Sequence, residues 1–154
     1  MLLQDEVKML KQVPLFAGVS PSKLKLLAFT SARVAFRAGE SLFLQGDVGD
    51  AAYVILSGKA DILIMGANGE IKVAEVGQNA IVGEIAILCD VNRTATVKAL
   101  TQVEALRIDK ENFCKLLSDF PEMTIEMVRV LAERLLHTTA ELTDALSMQK
   151  NPLH

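Results

Sequence analysis

The chain has 154 residues, with 16 Lys and Arg against 19 Asp and Glu and a formal net charge of −3, which fits one globular domain with no room for a second large one. A hydrophobic fraction of 51% excludes intrinsic disorder, and the acidic balance argues against a surface given over to nucleic-acid phosphates, which clustered Lys and Arg would bind. Met1 to Lys11 carries Asp5 and Glu6 where a signal peptide has a basic head and an apolar core. No apolar run approaches the roughly 20 residues of a membrane helix, so a soluble cytoplasmic protein is expected.

In chain order, Leu2 to Lys11 reads as a short helix, ended by Val13-Pro14-Leu15-Phe16. Ser20 offers a capping hydroxyl and Pro21 a pre-set first helical position for a second helix through Leu24, Leu27 and Ala28. Residues 1–31 are thus expected to form helices that cover a core. From residue 32 to residue 109 the apolar period changes to two, at Val34/Phe36, Leu42/Leu44, Ala52/Val54/Leu56, Ala60/Ile62/Ile64, Ile71/Val73, Ala95/Val97/Ala99 and Leu106/Ile108. Glycines punctuate these runs, and Asn68-Gly69 marks a hairpin. Many short strands so spaced predict a closed or double-sheet antiparallel barrel, which leaves no long exposed edge.

Residues 110–148 return to helical spacing. Asp109 can cap a helix from Lys110 to Leu117 with Phe113, Leu116 and Leu117 inward, and Pro121 opens a long helix to about Met148. Val128, Leu131, Leu135, Thr138, Leu142 and Ala145 follow one another at steps of three and four, the spacing of a heptad seam. Packing of the same stripe against the chain's own barrel is the alternative, and spacing alone leaves both open. The two cysteines, Cys89 and Cys114, are flanked by apolar residues and lack a CxxC or a nearby His pair, so they are read as buried thiols.

The barrel pattern breaks in Ile81-Val82-Gly83-Glu84-Ile85-Ala86-Ile87-Leu88-Cys89-Asp90-Val91-Asn92-Arg93-Thr94-Ala95-Thr96-Val97. A glycine before a short apolar helix leaves backbone N–H groups free to face an anion. Glu84 and Arg93 flank that helix inside an apolar run, where lone charges are costly. Either they pair with each other, or they await a ligand carrying a negative group and a hydroxyl.

This stretch resembles the phosphate-binding cassette of the cyclic nucleotide-binding domain family, on which Gly83, Glu84, Ile85, Ala86, Arg93, Ala95 and Val97 fall. Pro14-Leu15-Phe16, Gly39-Glu40, Gly46-Asp47, Tyr53-Val54-Ile55 and Ser57-Gly58 match the family's helical lead-in and barrel glycines, and the resemblance runs from about Leu10 to Thr139. It implies a single domain over residues 1–154, mainly β with flanking helices: an eight-stranded antiparallel jelly-roll barrel (32–109) with its cassette at 82–96, N-terminal helices and a long C-terminal helix. The implied ligand is cAMP or cGMP, with no metal. Arg93 and the N–H groups of Ile85 and Ala86 would hold the cyclic phosphate, Glu84 the ribose 2′-hydroxyl, and Thr94 the phosphate or base, while Gly83 admits close backbone approach.

Glu133-Arg134-Leu135 with Thr138-Thr139 is similar to the long helix of catabolite activator-type members. That likeness implies base contacts from Thr138 and from Thr139 of a partner subunit, with Arg134 lying over the pocket. Departures are Asn79-Ala80 for the usual Gly-Asp, Val82 for an aromatic, Asn92 for a proline, and no aromatic beyond Phe120 to cap the base. Few residues follow Met148, so a DNA-binding helix-turn-helix is not expected. The expected function is therefore a stand-alone cyclic nucleotide sensor that signals through its C-terminal helix to a homodimer mate or an effector. Its alternative is a degenerate domain that has lost nucleotide binding and serves as a protein scaffold. A hydrolase using Glu84 and His137 lacks a metal cluster or an activated nucleophile, so no enzymatic activity is expected.

Overall fold

The computed structural model describes residues 3–150. Helix α1 (Leu3–Lys11), a single 3₁₀ turn (Pro14–Phe16) and α2 (Pro21–Thr30) precede the strands β1 (Ala32–Phe36), β2 (Ser41–Phe43), β3 (Ala51–Ser57), β4 (Ala60–Gly66), β5 (Gly69–Val76) and β6 (Ile81–Val82). The short α3 (Glu84–Leu88) interrupts the strands before β7 (Thr96–Ala99) and β8 (Val103–Asp109), and α4 (Lys110–Asp119) and α5 (Pro121–Lys150) complete the order. The eight strands form two antiparallel four-stranded sheets, β1-β8-β3-β6 and β2-β7-β4-β5.

Strand β3 shows why the period-two reading identifies strands without identifying one inner face. Ala52, Val54 and Leu56 join a cluster with Leu10, Phe16, Leu24, Phe113 and Met123 under the helices. The intervening Ala51, Tyr53 and Ile55 instead pack inside the barrel with Leu42, Val82, Val97 and Ala105. Successive side chains of a strand point to opposite faces, so a strand covered on both sides must be apolar throughout, and these six residues are all buried. The N-terminal helices cover the core as expected. Ser20 is extended and makes no capping bond to the helix backbone, whereas the Asp109 carboxylate does accept from Asn112 N at 2.8 Å.

Two expectations are corrected, and one alternative left open by the spacing is decided. Strand β2 ends at Phe43 with an irregularity in its register against β7, which sends Phe43 inward and leaves Leu44 exposed. Cys89 and Cys114 are both exposed: Cys114 follows the inward Phe113 by about 100° of helical rotation, and Cys89 stands at the C-terminal end of α3, past the buried Ala86 and Ile87. The stripe on α5 does not pack on its own barrel along its length, since Val128, Leu135 and Leu142 are 61%, 67% and 58% exposed; only Leu131 leans on the core. Ile71 and Val73 of the edge strand β5 are likewise open to solvent. Among the described residues no helix is long and apolar enough to cross a membrane.

Candidate functional site

The site is built where the cassette crosses the barrel mouth. Asn79 takes a left-handed φ of 73°, a conformation that asparagine tolerates better than most residues, and its N–H donates to Ile55 O at 2.9 Å. The departure from glycine there therefore leaves the turn intact. Gly83, at φ 87°, then reverses the chain into α3. A Cβ on Gly83 would stand 2.6 Å from Arg93 Nη1, 3.0 Å from Ala51 O and 3.2 Å from Phe43 Cε2, so glycine is required both by its conformation and by the convergence of three groups on it.

Arg93 is held from every side. Its main-chain N–H donates to Asp47 O at 2.7 Å and its carbonyl accepts from Gly46 N at 2.8 Å. Its guanidinium donates from Nη1 to Gly83 O at 2.8 Å and from Nη2 to Ala51 O at 2.6 Å, lies 4.0 Å from the Phe43 ring centroid, and has Asp50 Oδ1 at 3.6 Å. The side chain is 1% exposed. Burial lowers the guanidinium below its usual value, with Tyr53, Asp50 and Asp47 opposing, but an arginine starts so high that it keeps its charge. The Nε–H is buried and makes no hydrogen bond, and an orphaned donor on a buried cation is the arrangement that an incoming anion would complete.

Glu84 and Arg93 do not pair with each other. Glu84 is 2% exposed, and its Oε1 accepts from Arg134 Nη1 of α5 at 2.6 Å. A carboxylate so buried needs a cation or several donors to remain charged, and α5 supplies one across the mouth of the site. The first N–H groups of α3, including those of Ile85 and Ala86, have no acceptor within their own helix. Gly49 packs so closely on Ala86 that a Cβ there would come within 2.3 Å of the Ala86 Cβ, which seats α3 against the loop that also carries Asp47 and Asp50.

These residues surround a cavity of about 520 Å³, within the ~300–1,000 Å³ range of small-molecule sites. Gly83, Glu84, Ile85, Ala86, Arg93, Thr94 and Ala95 line one end, Arg134 and Thr138 come from α5, and Ile62, Val73, Ala74, Val76 and Val97 form an apolar wall. Thr139 does not line this cavity; it neighbours Thr138 on the exposed surface of α5. His137 does line it, with its Nε2 3.0 Å from Glu141 Oε1. Among the described residues no group of three His, Cys, Asp or Glu is placed to hold a metal.

Sequence reasoning missed Phe43, Asp50 and Glu141. Nothing in a single sequence announces the β2 irregularity that turns Phe43 inward. Asp50 reaches Arg93 only because the loop before β3 folds over the cassette, and it also accepts from Arg107 Nη2 at 3.0 Å. Glu141 had a readable signal, since it lies one helical turn beyond His137 and Thr138.

The family model for the cyclic nucleotide-binding domain matches residues 33–120. The chain is 32% identical over 143 residues to the CRP-like cAMP-activated global transcriptional regulator of Mycobacterium tuberculosis, an alignment covering 92% of this chain and 63% of that protein. Among solved structures it resembles the catabolite activator protein of Thermus thermophilus with a TM-score of 0.77 and 31% identity, covering 88% of this chain and 63% of that one. A cyclic nucleotide-binding-like protein from Brucella abortus gives a TM-score of 0.63 and 34% identity over 74% of this chain and 98% of its own. The chain thus spans less than two thirds of the length of the two regulators.

Proposed function

The chain belongs to the cyclic nucleotide-binding domain family, and from that premise we propose that it is a regulatory sensor whose site takes cAMP, and cGMP less tightly. The single observation that carries this reading is Arg93: a buried, charged guanidinium fixed by main-chain carbonyls, with an unsatisfied Nε–H, on the wall of a cavity of nucleotide size. A cyclic phosphate would accept from Arg93 and from the N–H groups of Ile85 and Ala86, and charge-assisted bonds of this kind are the stronger class. Glu84 would accept the ribose 2′-hydroxyl proton. The base would lie between the apolar wall and α5, with Thr94 and Thr138 offering hydroxyls and Thr139 serving the pocket of a partner subunit.

Signalling in this reading runs through the contact of Arg134 with Glu84, the one ion pair that ties α5 to the cassette. A ribose hydroxyl arriving at Glu84 competes with Arg134, so nucleotide binds one arrangement of α5 better than another, and only such a difference shifts an equilibrium. In this reading a second copy of the chain senses the change through a parallel homodimer of α5, and the exposure of Val128, Leu135 and Leu142 supports it. The same reading has the chain working in the cytoplasm as one non-enzymatic domain, without contact to nucleic acid. Among the described residues no nucleophile beside an activating base lines the cavity. His137 is paired with Glu141.

A thermal-shift titration with cAMP and with cGMP tests the proposal. A ligand at 100 times its dissociation constant adds about 2.7 kcal/mol to stability, so melting rises with the logarithm of nucleotide concentration. No shift with either nucleotide at millimolar concentration would leave the scaffold reading in its place.

A further inference from the structure

Arg93 is the only cassette residue whose charged head rests on an aromatic face, and that face comes from a part of the chain that the cassette pattern does not include. Phe43 Cε2 is one of the three groups that converge on Gly83, its ring centroid is 4.0 Å from the guanidinium carbon, and Phe43 lines the cavity. The ring is itself braced. It lies tilted on Tyr53 at 5.9 Å between centroids, and Tyr53 meets Phe36 edge-on at 6.2 Å. Three strands, β1, β2 and β3, thus contribute one aromatic row that ends under the guanidinium.

We propose that Phe43 is a positioning residue for the anion, holding the Arg93 guanidinium in the one plane from which its unpartnered donor can meet a phosphate. This rests on the reading of the site given above. The argument is geometric. Two carbonyls, Gly83 O and Ala51 O, fix two points of the guanidinium, which leaves it free to tilt about the line joining them. A flat, electron-rich face on one side removes that tilt and favours a cation over a neutral group. The ring does so without using any N–H, so the buried Nε–H stays unpartnered. Among the described residues Asp50 is the carboxylate within ion-pair distance of this head, at 3.6 Å, and is itself 65% exposed and shared with Arg107. It contributes charge but cannot set the plane. A binding group that occupies its competent orientation only part of the time lowers apparent affinity by that fraction.

The test combines shape-preserving and shape-changing replacements. Calorimetric titration with cAMP is carried out on the wild type, on Phe43→Leu and Phe43→Tyr, and on protein carrying pentafluorophenylalanine at position 43, which keeps the ring's outline but inverts the charge of its face. The Arg93 Nε–H resonance is followed in each by nitrogen–proton NMR without nucleotide. Loss of the stacked face costs roughly tenfold in affinity for the leucine and pentafluoro proteins, while the tyrosine variant stays within about twofold. In the wild type the Arg93 resonance is shifted by the ring current and exchanges slowly with water; in the leucine and pentafluoro proteins it moves away from its wild-type position and exchanges faster, as the guanidinium tilts about its two carbonyl bonds. If the leucine variant does not fold, the pentafluoro protein decides, because its packing is unchanged. Equal cAMP affinity in the wild type and the pentafluoro protein overturns the proposal and leaves nucleotide binding standing. A loss of affinity with an unmoved Arg93 resonance overturns it as well. A wild type that binds neither cAMP nor cGMP overturns this proposal and the nucleotide reading together, even where the ring-current shift is present.

Discussion

Replacing Arg93 by alanine separates the structural task of this side chain from its proposed task as an anion receptor. As a strut, the guanidinium satisfies Gly83 O and Ala51 O, and each hydrogen bond from a charged group contributes roughly 1.5–3 kcal/mol. Against that stands the burial of the cation, whose unfavourable direction shows in its lowered pKa, so Arg93→Ala is expected to cost a net of about 2–4 kcal/mol of folding stability. At about 2–4 °C per kcal/mol for a chain of this size, melting falls by about 5–15 °C. In the proposed reading the same side chain would supply at least one charge-assisted bond to the phosphate, and its loss is expected to lower cAMP affinity at least about tenfold. Scanning calorimetry without ligand measures the first effect. Titration calorimetry well below the variant's melting range measures the second without interference from unfolding. Unchanged cAMP affinity refutes the assignment of the site, whatever the melting temperature does. A melting temperature within about 2 °C of the wild type refutes the account of Arg93 as a structural tie between β3, the Gly83 turn and the cassette.

Gly83→Ala puts a Cβ at a left-handed φ and against the Ala51 carbonyl, which costs about 1–2 kcal/mol for the conformation alone; thermal melting is expected to fall and cAMP affinity to drop with it, and a variant indistinguishable from wild type in both would show that the turn has slack. Arg134→Ala removes the cation from a carboxylate that is 2% exposed, but the partner is half-exposed and screened, so only about 1 kcal/mol, or 2–4 °C in melting temperature without nucleotide, is expected; a rise in melting temperature would contradict the tie between α5 and the cassette. Thr94→Ala is expected to weaken cGMP several-fold and leave cAMP nearly unchanged, as measured by competition titration, and equal losses for both would remove Thr94 from base discrimination. Light scattering at tens of micromolar is expected to find a dimer for the wild type and a monomer for Leu135→Glu, Leu142→Glu; a wild type that is monomeric with and without nucleotide ends the homodimer reading.

Most of the strand pattern was legible because alternation is a local property. Val54 and Leu56, or Ala60 and Ile62, declare a strand without reference to anything distant, and Asn68-Gly69 declares its own hairpin, which closes with Gly66 opposite Gly69. What alternation cannot say is which layer a face meets. Ala52, Val54 and Leu56 turn to the helices while Ala51, Tyr53 and Ile55 turn to the barrel interior, and Ile71 and Val73 keep the period yet face solvent. The failure at the cysteines has the same origin. Nearby apolar residues made Cys89 and Cys114 look buried, but Cys114 turns to another helix face than the buried Phe113, and Cys89 stands with the exposed Leu88 at the end of α3.

The site was legible as a set of residues and illegible as a set of bonds. Two charges in one apolar segment invite the inference that they neutralise each other, and residue types alone could not exclude it. The fold assigns them different partners for a physical reason: Arg93 lies under the barrel mouth, where the Gly83 and Ala51 carbonyls and the Phe43 ring are all within reach, whereas Glu84 opens α3 on the side that α5 crosses. The consequence is asymmetric. Arg93 is tied to β3, to the loop that carries Gly46, Asp47 and Asp50, and to the cassette itself, so in the proposed reading an anion arriving there leaves α5 in place. Glu84 is tied to Arg134, 50 residues away in sequence on α5, and Val128, Leu135 and Leu142 of that helix are exposed. In the proposed reading, a ligand that engages both groups would therefore spend its phosphate on affinity and its ribose on α5, and the element it would move is the one with exposed apolar residues for a partner.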